Sequence, residues 1–291
     1  MSDWKNQFPK ENIFYETENG ILYCGEAIET MSKFPENSVD LVLTDPPYGI
    51  DADKKFEYRY NDFLQFMEQV IKKVYNIMNE YSAIYIFSDY RNVHELKVYV
   101  MDKIFGKNNY LNEIIWCYKS EGFTKKKWNN KHDNILFYVK NNKKYIFNYN
   151  DVREDFISET TMKRWKKEIE KFGAIPTKKN GKIYWNNPYS LARDWMLINS
   201  LPYAHKERKF GKHPTQKPLT LIEKLVKASS VKDNIIFDMF FGSGTVGVIA
   251  EKLNRKWIGI EISKEYCEIA KQRIEEGFKI KNKKLKNKLF K

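Results

Sequence analysis

Residues 233–262 set the strongest constraint on the fold. DNIIFDMF reads as an apolar strand, TVGVIAEKLN as a helix and KWIGIEI as a second strand, with Gly242-Ser243-Gly244 at the first junction. Two strands joined through a helix lie parallel, because a tight hairpin connects only antiparallel neighbours. A parallel pair buries both faces, so the rest of the chain must supply more strands and helices in layers.

It does so on both sides of one irregular stretch. ILYCG is a short apolar strand, EAIETMSKF a helix that Pro35 helps to end, and VDLVLTD a buried strand that stops at Pro46-Pro47. From about Asn61 to Met78, Phe63, Phe66, Met67, Val70, Ile71 and Val74 recur at helical spacing. SAIYIFS follows as a strand, Val93–Ile104 as a helix and NEIIWCYK as a strand. NILFYVK and YIFNY read as two more strands across the polar turn Asn141–Lys144. From about Asn150 to Gly211 the rhythm breaks, although Trp165, Trp185, Trp195, Tyr184, Tyr189 and Tyr203 give the stretch something to bury. The α/β pattern resumes with the helix KPLTLIEKLVKAS, Pro218 in its first turn, and ends with the helix KEYCEIAKQRIEEGF. The Lys-rich tail KIKNKKLKNKLFK reads as frayed or as a phosphate contact.

Composition narrows the setting. No run approaches the roughly 18 apolar residues of a membrane span, and the first residues lack an apolar signal core. Cys24, Cys117 and Cys267 are isolated, which fits a reducing cytoplasm and gives neither a disulfide framework nor a metal site. The net charge is +13, and residues 119–212 hold 22 of the 51 Lys and Arg but 10 of the 38 Asp and Glu. That asymmetry fits a polyanion-binding surface.

Two motifs carry chemistry. The first is Phe240-Phe241-Gly242-Ser243-Gly244-Thr245, with Glu261 ending the next strand. Glycines let a ligand approach the backbone at a helix N-terminus, and an acid on the neighbouring strand can grip a ribose diol. A dinucleotide fingerprint would need glycine where Phe240 stands, and this ring would crowd a pyrophosphate. It would not crowd an amino-acid arm, whose ammonium Asp238 is placed to receive. The second is Asp45-Pro46-Pro47-Tyr48 at the end of VDLVLT. Two prolines stop the strand and hold the chain extended. The Asp45 carboxylate and the Pro46 carbonyl can then accept from one –NH2 group while Tyr48 offers a stacking face. In an open doubly wound sheet ligands lie outside the carboxyl ends of the strands, so the two motifs are expected to share one cleft.

In this order the motifs resemble the amino-group DNA methyltransferases of the permuted beta arrangement, in which DPPY precedes a target-recognition region and FxGxGT comes last. The resemblance runs from about Ile21 to Phe278 and includes Lys212-His213-Pro214-Thr215-Gln216-Lys217-Pro218. It implies a Rossmann-like S-adenosylmethionine-dependent methyltransferase fold with a mostly parallel seven-stranded sheet. Residues 1–118 would carry the DPPY half of the catalytic domain. Residues 119–212 would be the basic recognition region, its first part to about 150 continuing the sheet. Residues 213–278 would be the cofactor-binding half and 279–291 the tail.

The resemblance makes Asp45, Pro46, Pro47 and Tyr48 catalytic. It assigns S-adenosylmethionine to Asp238, Phe240, Phe241, Gly242, Ser243, Gly244, Thr245, Glu261, Ile262, His213, Thr215 and Lys217, with Cys24 near the adenine and Asp45 on the methyl side. Phosphate contacts are expected from Lys125, Lys126, Lys127, Lys131, Lys163, Arg164, Lys166 and Lys167. Arg153, Arg193, Asn186, Asn187 and Gln216 are polar enough to read base edges. The implied partner is double-stranded DNA in a bacterial cytoplasm; a cognate restriction endonuclease and a homodimer are further expectations. Asp at the first motif position favours adenine N6 over cytosine N4. Two other readings stand beside it. RNA or protein-glutamine methyltransferases usually carry the two motifs in the reverse order. A catalytically silent binding protein would not need Asp45, Tyr48, Asp238 and Glu261 together.

Overall fold

A computed structural model describes residues 4–48, 60–119, 125–152, 154–155, 167, 170–171, 175–179, 182–186, 189–190, 193–202, 205–211 and 213–289. It divides into two compact units, 1–147 with 194–291, and 148–193.

In the larger unit β1 (Ile13–Glu16) and β2 (Gly20–Cys24) form a hairpin, followed by α1 (Ala27–Met31) and β3 (Val39–Thr44). Helix α2 (Tyr60–Ile77) leads directly into β4 (Met78–Ser88). A helical segment α3, residues 93–105, contains a π turn at Leu96–Met101 and precedes β5 (Tyr110–Cys117) and β6 (His132–Val139).

The smaller unit begins with the short helix α4 (Tyr149–Val152). It pairs β7 (Glu154–Asp155) with β10 (Tyr189–Ser190), and β8 (Ile175–Lys179) with β9 (Lys182–Asn186), all antiparallel. The chain then returns to the larger unit with β11 (Trp195–Leu197), α5 (Leu219–Ser229), β12 (Ile235–Asp238), α6 (Thr245–Lys252), β13 (Lys256–Glu261) and α7 (Lys264–Leu289).

The main sheet has nine strands in the order β1-β2-β13-β12-β3-β4-β6-β5-β11. This corrects the expected seven. The two extra strands sit at the edges, β1 antiparallel on β2 and β11 parallel on β5, and β6 runs antiparallel to both neighbours. The sheet is therefore mixed around a parallel centre. YIFNY is also not a strand: β6 ends at Val139, and Phe147 instead rests near the Phe137 ring, 6.2 Å between centroids. The tail is helical, because α7 runs without a proline to Leu289.

The central strands are buried on both faces. Along β3, β4 and β12, Val42, Ile84, Ile86 and Phe237 face the Phe63–Val74 stripe of α2, while Leu41, Leu43, Tyr85 and Ile236 face α5, α6 and α7. Helix α2 follows β3 onto one face and α6 follows β12 onto the other. The connections thus diverge between β3 and β12, the parallel neighbours paired Ile236 to Leu41 and Phe237 to Val42. A crevice opens at the carboxyl ends of such a pair.

Candidate active site

At that crevice β3 ends with Thr44 and the chain enters Asp45-Pro46-Pro47-Tyr48, while β12 ends with Asp238 and enters the glycine loop. Residues far apart in sequence meet: the Thr44 hydroxyl donates to Asp238 Oδ1 over 2.8 Å. A cavity of about 410 Å³ is lined by Asp45, Pro46, Pro47 and Tyr48 on one side and by Asp238, Phe240, Phe241, Gly242, Ser243 and Thr245 on the other. Glu261, Ile262, His213, Thr215 and Lys217 complete the wall. Gly244 and Cys24 are not part of the lining, although Gly25, Glu26 and Ala27 next to Cys24 are.

The glycine loop is held from three directions. Gly242 N–H donates to Glu261 Oε2 over 2.7 Å, and Ser263 N–H donates to the other oxygen over 2.8 Å. Gly242 and Gly244 adopt φ of +50° and +74°, which side chains rarely tolerate. A Cβ on Gly242 would also stand 3.0 Å from His213 Nε2. From α7, Arg273 donates to the Ser243 hydroxyl over 2.8 Å and the Thr245 hydroxyl over 3.0 Å. Burial pushes its guanidinium down to about 10. Phe241 stacks on Trp257 with centroids 5.3 Å apart, and a Cβ on Gly259 would fall 2.4 Å from the Phe241 ring. Gly259→Ala should therefore cost about 1–3 kcal/mol through forced repacking. Urea unfolding measures it, and an unchanged midpoint would show that Phe241 does not need that seat.

Two acids give the far end of the cavity its character. Burial raises the Asp238 carboxyl to about 7, against the opposing bonds from Thr44 and the Phe240 N–H, and burial also raises Glu261. His213, edge-on to Tyr266 at 4.4 Å, is pushed down to about 4 by burial and is a neutral imidazole. His213 Nδ1 and Gln216 Oε1 are buried without a hydrogen-bond partner among the described residues. A ligand with an ammonium, a diol and polar edges would donate to such a set of acceptors.

At the near end the Tyr48 hydroxyl donates to Asp45 Oδ1 and the Lys217 ammonium pairs with Asp45 Oδ2. Burial holds the Tyr48 phenol well above its usual range, so it stays protonated. Asn92 Nδ2 donates to the Tyr48 carbonyl over 2.7 Å and fixes the loop from above β4. The Lys217–Asp45 pairing, Asn92 and Arg273 were not foreseen from the sequence. For Arg273 a signal exists: it shares the stripe of Cys267, Ala270 and Ile274, an unusual place for a charge.

Among the candidate DNA contacts, Lys125, Lys126 and Lys127 are exposed and Lys131 is half-buried in the β5–β6 loop. Lys167 and Arg193 are exposed in the smaller unit. Lys163, Arg164 and Lys166, like Arg153 and Asn187, lie outside the described residues.

The chain is similar to known proteins in sequence and in fold. The DNA methylase family matches residues 39–272. Type II methyltransferase M.HpaI of Haemophilus parainfluenzae is 31% identical over 261 residues, 88% of this chain and 74% of its own length. DNA adenine methyltransferase YhdJ of Escherichia coli is 29% identical over 267 residues, 90% of this chain and 84% of its own. Among solved structures, the cytosine-N4-specific PvuII DNA methyltransferase superposes with a TM-score of 0.68 at 18% identity, covering 94% of this chain and 95% of that one. The M1.HpyAVI–SAM complex superposes at 0.55 with 24% identity, covering 87% and 98%. The chain belongs to the amino-group DNA methyltransferases, the family that methylates adenine N6 or cytosine N4.

Proposed function

We propose that this enzyme methylates N6 of adenine in double-stranded DNA, on a base turned out of the helix. The observation that carries the reading is that the Asp45–Tyr48 loop and the glycine loop line a single cavity. The cofactor is S-adenosylmethionine, which supplies an electrophilic methyl group when bound. Asp238 receives its ammonium and Glu261 its ribose diol. His213 and Thr215 serve the carboxylate and ribose side, while Phe240, Phe241, Ser243 and Ile262 shape the wall.

Asp45 and the Pro46 carbonyl accept from the target amino group and turn its lone pair out of the ring plane, and Tyr48 stacks on the base. A paired base could not reach this cavity, so it must leave the duplex. Position and a fixed electrostatic field supply most of the rate, with no strong base required. The methylated nitrogen then loses a proton to Asp45 or water.

Two observations favour adenine: the motif begins with Asp45, and the 29% identical YhdJ is named a DNA adenine methyltransferase. Digesting methylated duplex to nucleosides should yield N6-methyladenine. N4-methylcytosine alone would overturn the base assignment, and label found only in RNA would overturn the substrate.

The β5–β6 loop is the DNA-facing candidate in the larger unit. Cys117 pairs with His132 and Ser88 with Asn134, which puts this loop at the strand edge that also carries Asp45. Its lysines flank Trp128, 97% exposed. Lysines beside an open indole suit phosphates next to stacked bases. Recognition of the target sequence falls to residues 119–212. The type II names of M.HpaI and other relatives favour a restriction-modification setting with a cognate endonuclease. A homodimer belongs to the same reading.

A further inference from the structure

Both oxygens of the Asp45 carboxylate are engaged, Oδ1 by the Tyr48 hydroxyl and Oδ2 by the Lys217 ammonium. The two partners differ in how freely they can leave. Tyr48 must swing its hydroxyl aside if its ring is to lie on a base. Lys217 is 7% exposed and has no such reason to move. Its ammonium also reaches the Thr215 carbonyl at 3.4 Å and lies 5.1 Å from the centre of the Phe87 ring. Its own carbonyl accepts from the Thr245 hydroxyl at 3.4 Å, which ties it to the start of α6.

We propose that Lys217 is a positioning residue for the methyl-transfer step: it anchors Oδ2 of Asp45 so that Oδ1 is the oxygen offered to the target amino group. This rests on the amino-methyltransferase reading and adds a role that differs from cofactor binding. An N–H of the incoming amino group replaces one O–H donor by another donor at the same seat, so the carboxylate need not turn. The charges around Asp45 explain why an anchor is useful. Asp133 at the start of β6 and Asp238 at the end of β12 both bear on it electrostatically, and His213 facing it is neutral. Lys217 places a cation on Oδ2 among these acids and fixes the geometry on which the rate depends.

The test uses the full chain with duplex DNA. In Lys217→Met, kcat should fall about 10- to 100-fold, while the KM for DNA and the calorimetric Kd for S-adenosylmethionine stay within about twofold. Lys217→Arg, which keeps a cation at the carboxylate, should recover most of kcat. If the methionine variant loses its thermal transition, Lys217→Gln, which stays polar but carries no charge and ends one bond short of the ammonium position, carries the same measurements. A Kd for S-adenosylmethionine weakened about tenfold with saturated kcat unchanged would assign Lys217 to the cofactor and overturn the proposal. So would unchanged kcat in the methionine or glutamine variant. A wild-type enzyme that binds S-adenosylmethionine but leaves DNA unmethylated would instead sink the underlying function, which separates the two failures.

Discussion

Asp45→Ala should lower kcat by about three orders of magnitude while S-adenosylmethionine still binds within about twofold of wild type. In the proposed reaction the carboxylate meets the amino group where positive charge develops as the methyl arrives, so its value is concentrated in the transition state. In the same proposal cofactor affinity depends on the opposite end of the cavity, on Asp238 and Glu261. Alanine also leaves Lys217 buried without its carboxylate partner, which costs stability, so thermal unfolding should accompany the kinetics. Asp45→Asn keeps the shape and an acceptor oxygen and should lose less stability but most of the turnover. Normal kcat in either variant would remove Asp45 from the chemistry.

The second large effect is expected at Asp238. Asp238→Asn should weaken S-adenosylmethionine binding about 100-fold, the loss of a charge-assisted bond in a buried site. The wild type should also bind in a pH-dependent manner. With its carboxyl raised to about 7 by burial, Asp238 must lose a proton before it can match an ammonium. The association constant should therefore fall about tenfold per pH unit below 7. Above about pH 8 the ligand's own α-amino group begins to lose its proton, so affinity should peak between these limits.

Calorimetry across this range checks the profile, and the asparagine variant should lack the acid limb. A flat wild-type profile would contradict the role. The same shift has a stability sign. The folded enzyme holds this proton more tightly than the unfolded chain, so the stabilisation is fully present below the ordinary carboxylate range and is lost as pH rises through about 7. Glu261 acts in the same direction.

The parts legible from sequence were those with local causes. Strands β3, β4, β12 and β13 each hold a largely apolar run, as strands buried on both faces must, and the stripe of α2 appears at its helical spacing. Asp45, Asp238 and Glu261 could be marked because each stands at or just beyond a strand's carboxyl end. The misreadings had long-range causes. β11 is three residues long and exists only because β5 offers an edge to Trp195, Met196 and Leu197. YIFNY has strand alternation, but pairing along β6 stops at Tyr138 on the β5 side and at Val139 on the β4 side. The tail is the exception, with a local cause: lysine and leucine favour a helix and nothing after Gly277 breaks it. The ion pair between Lys217 and Asp45 joins two loops that only the completed sheet brings together.

The central claim is that one cavity holds methyl donor and target amine face to face. It is tested most directly by a crystal structure of the enzyme with an amine-for-methyl analogue of S-adenosylmethionine and a duplex containing its target. The account predicts an extrahelical adenine stacked on Tyr48, its N6 about 3 Å from Asp45 and roughly 3–3.5 Å from the methyl position, with the analogue's ammonium on Asp238. An extrahelical base seated away from the Asp45–Tyr48 loop, or a cofactor bound outside the glycine loop, would contradict it.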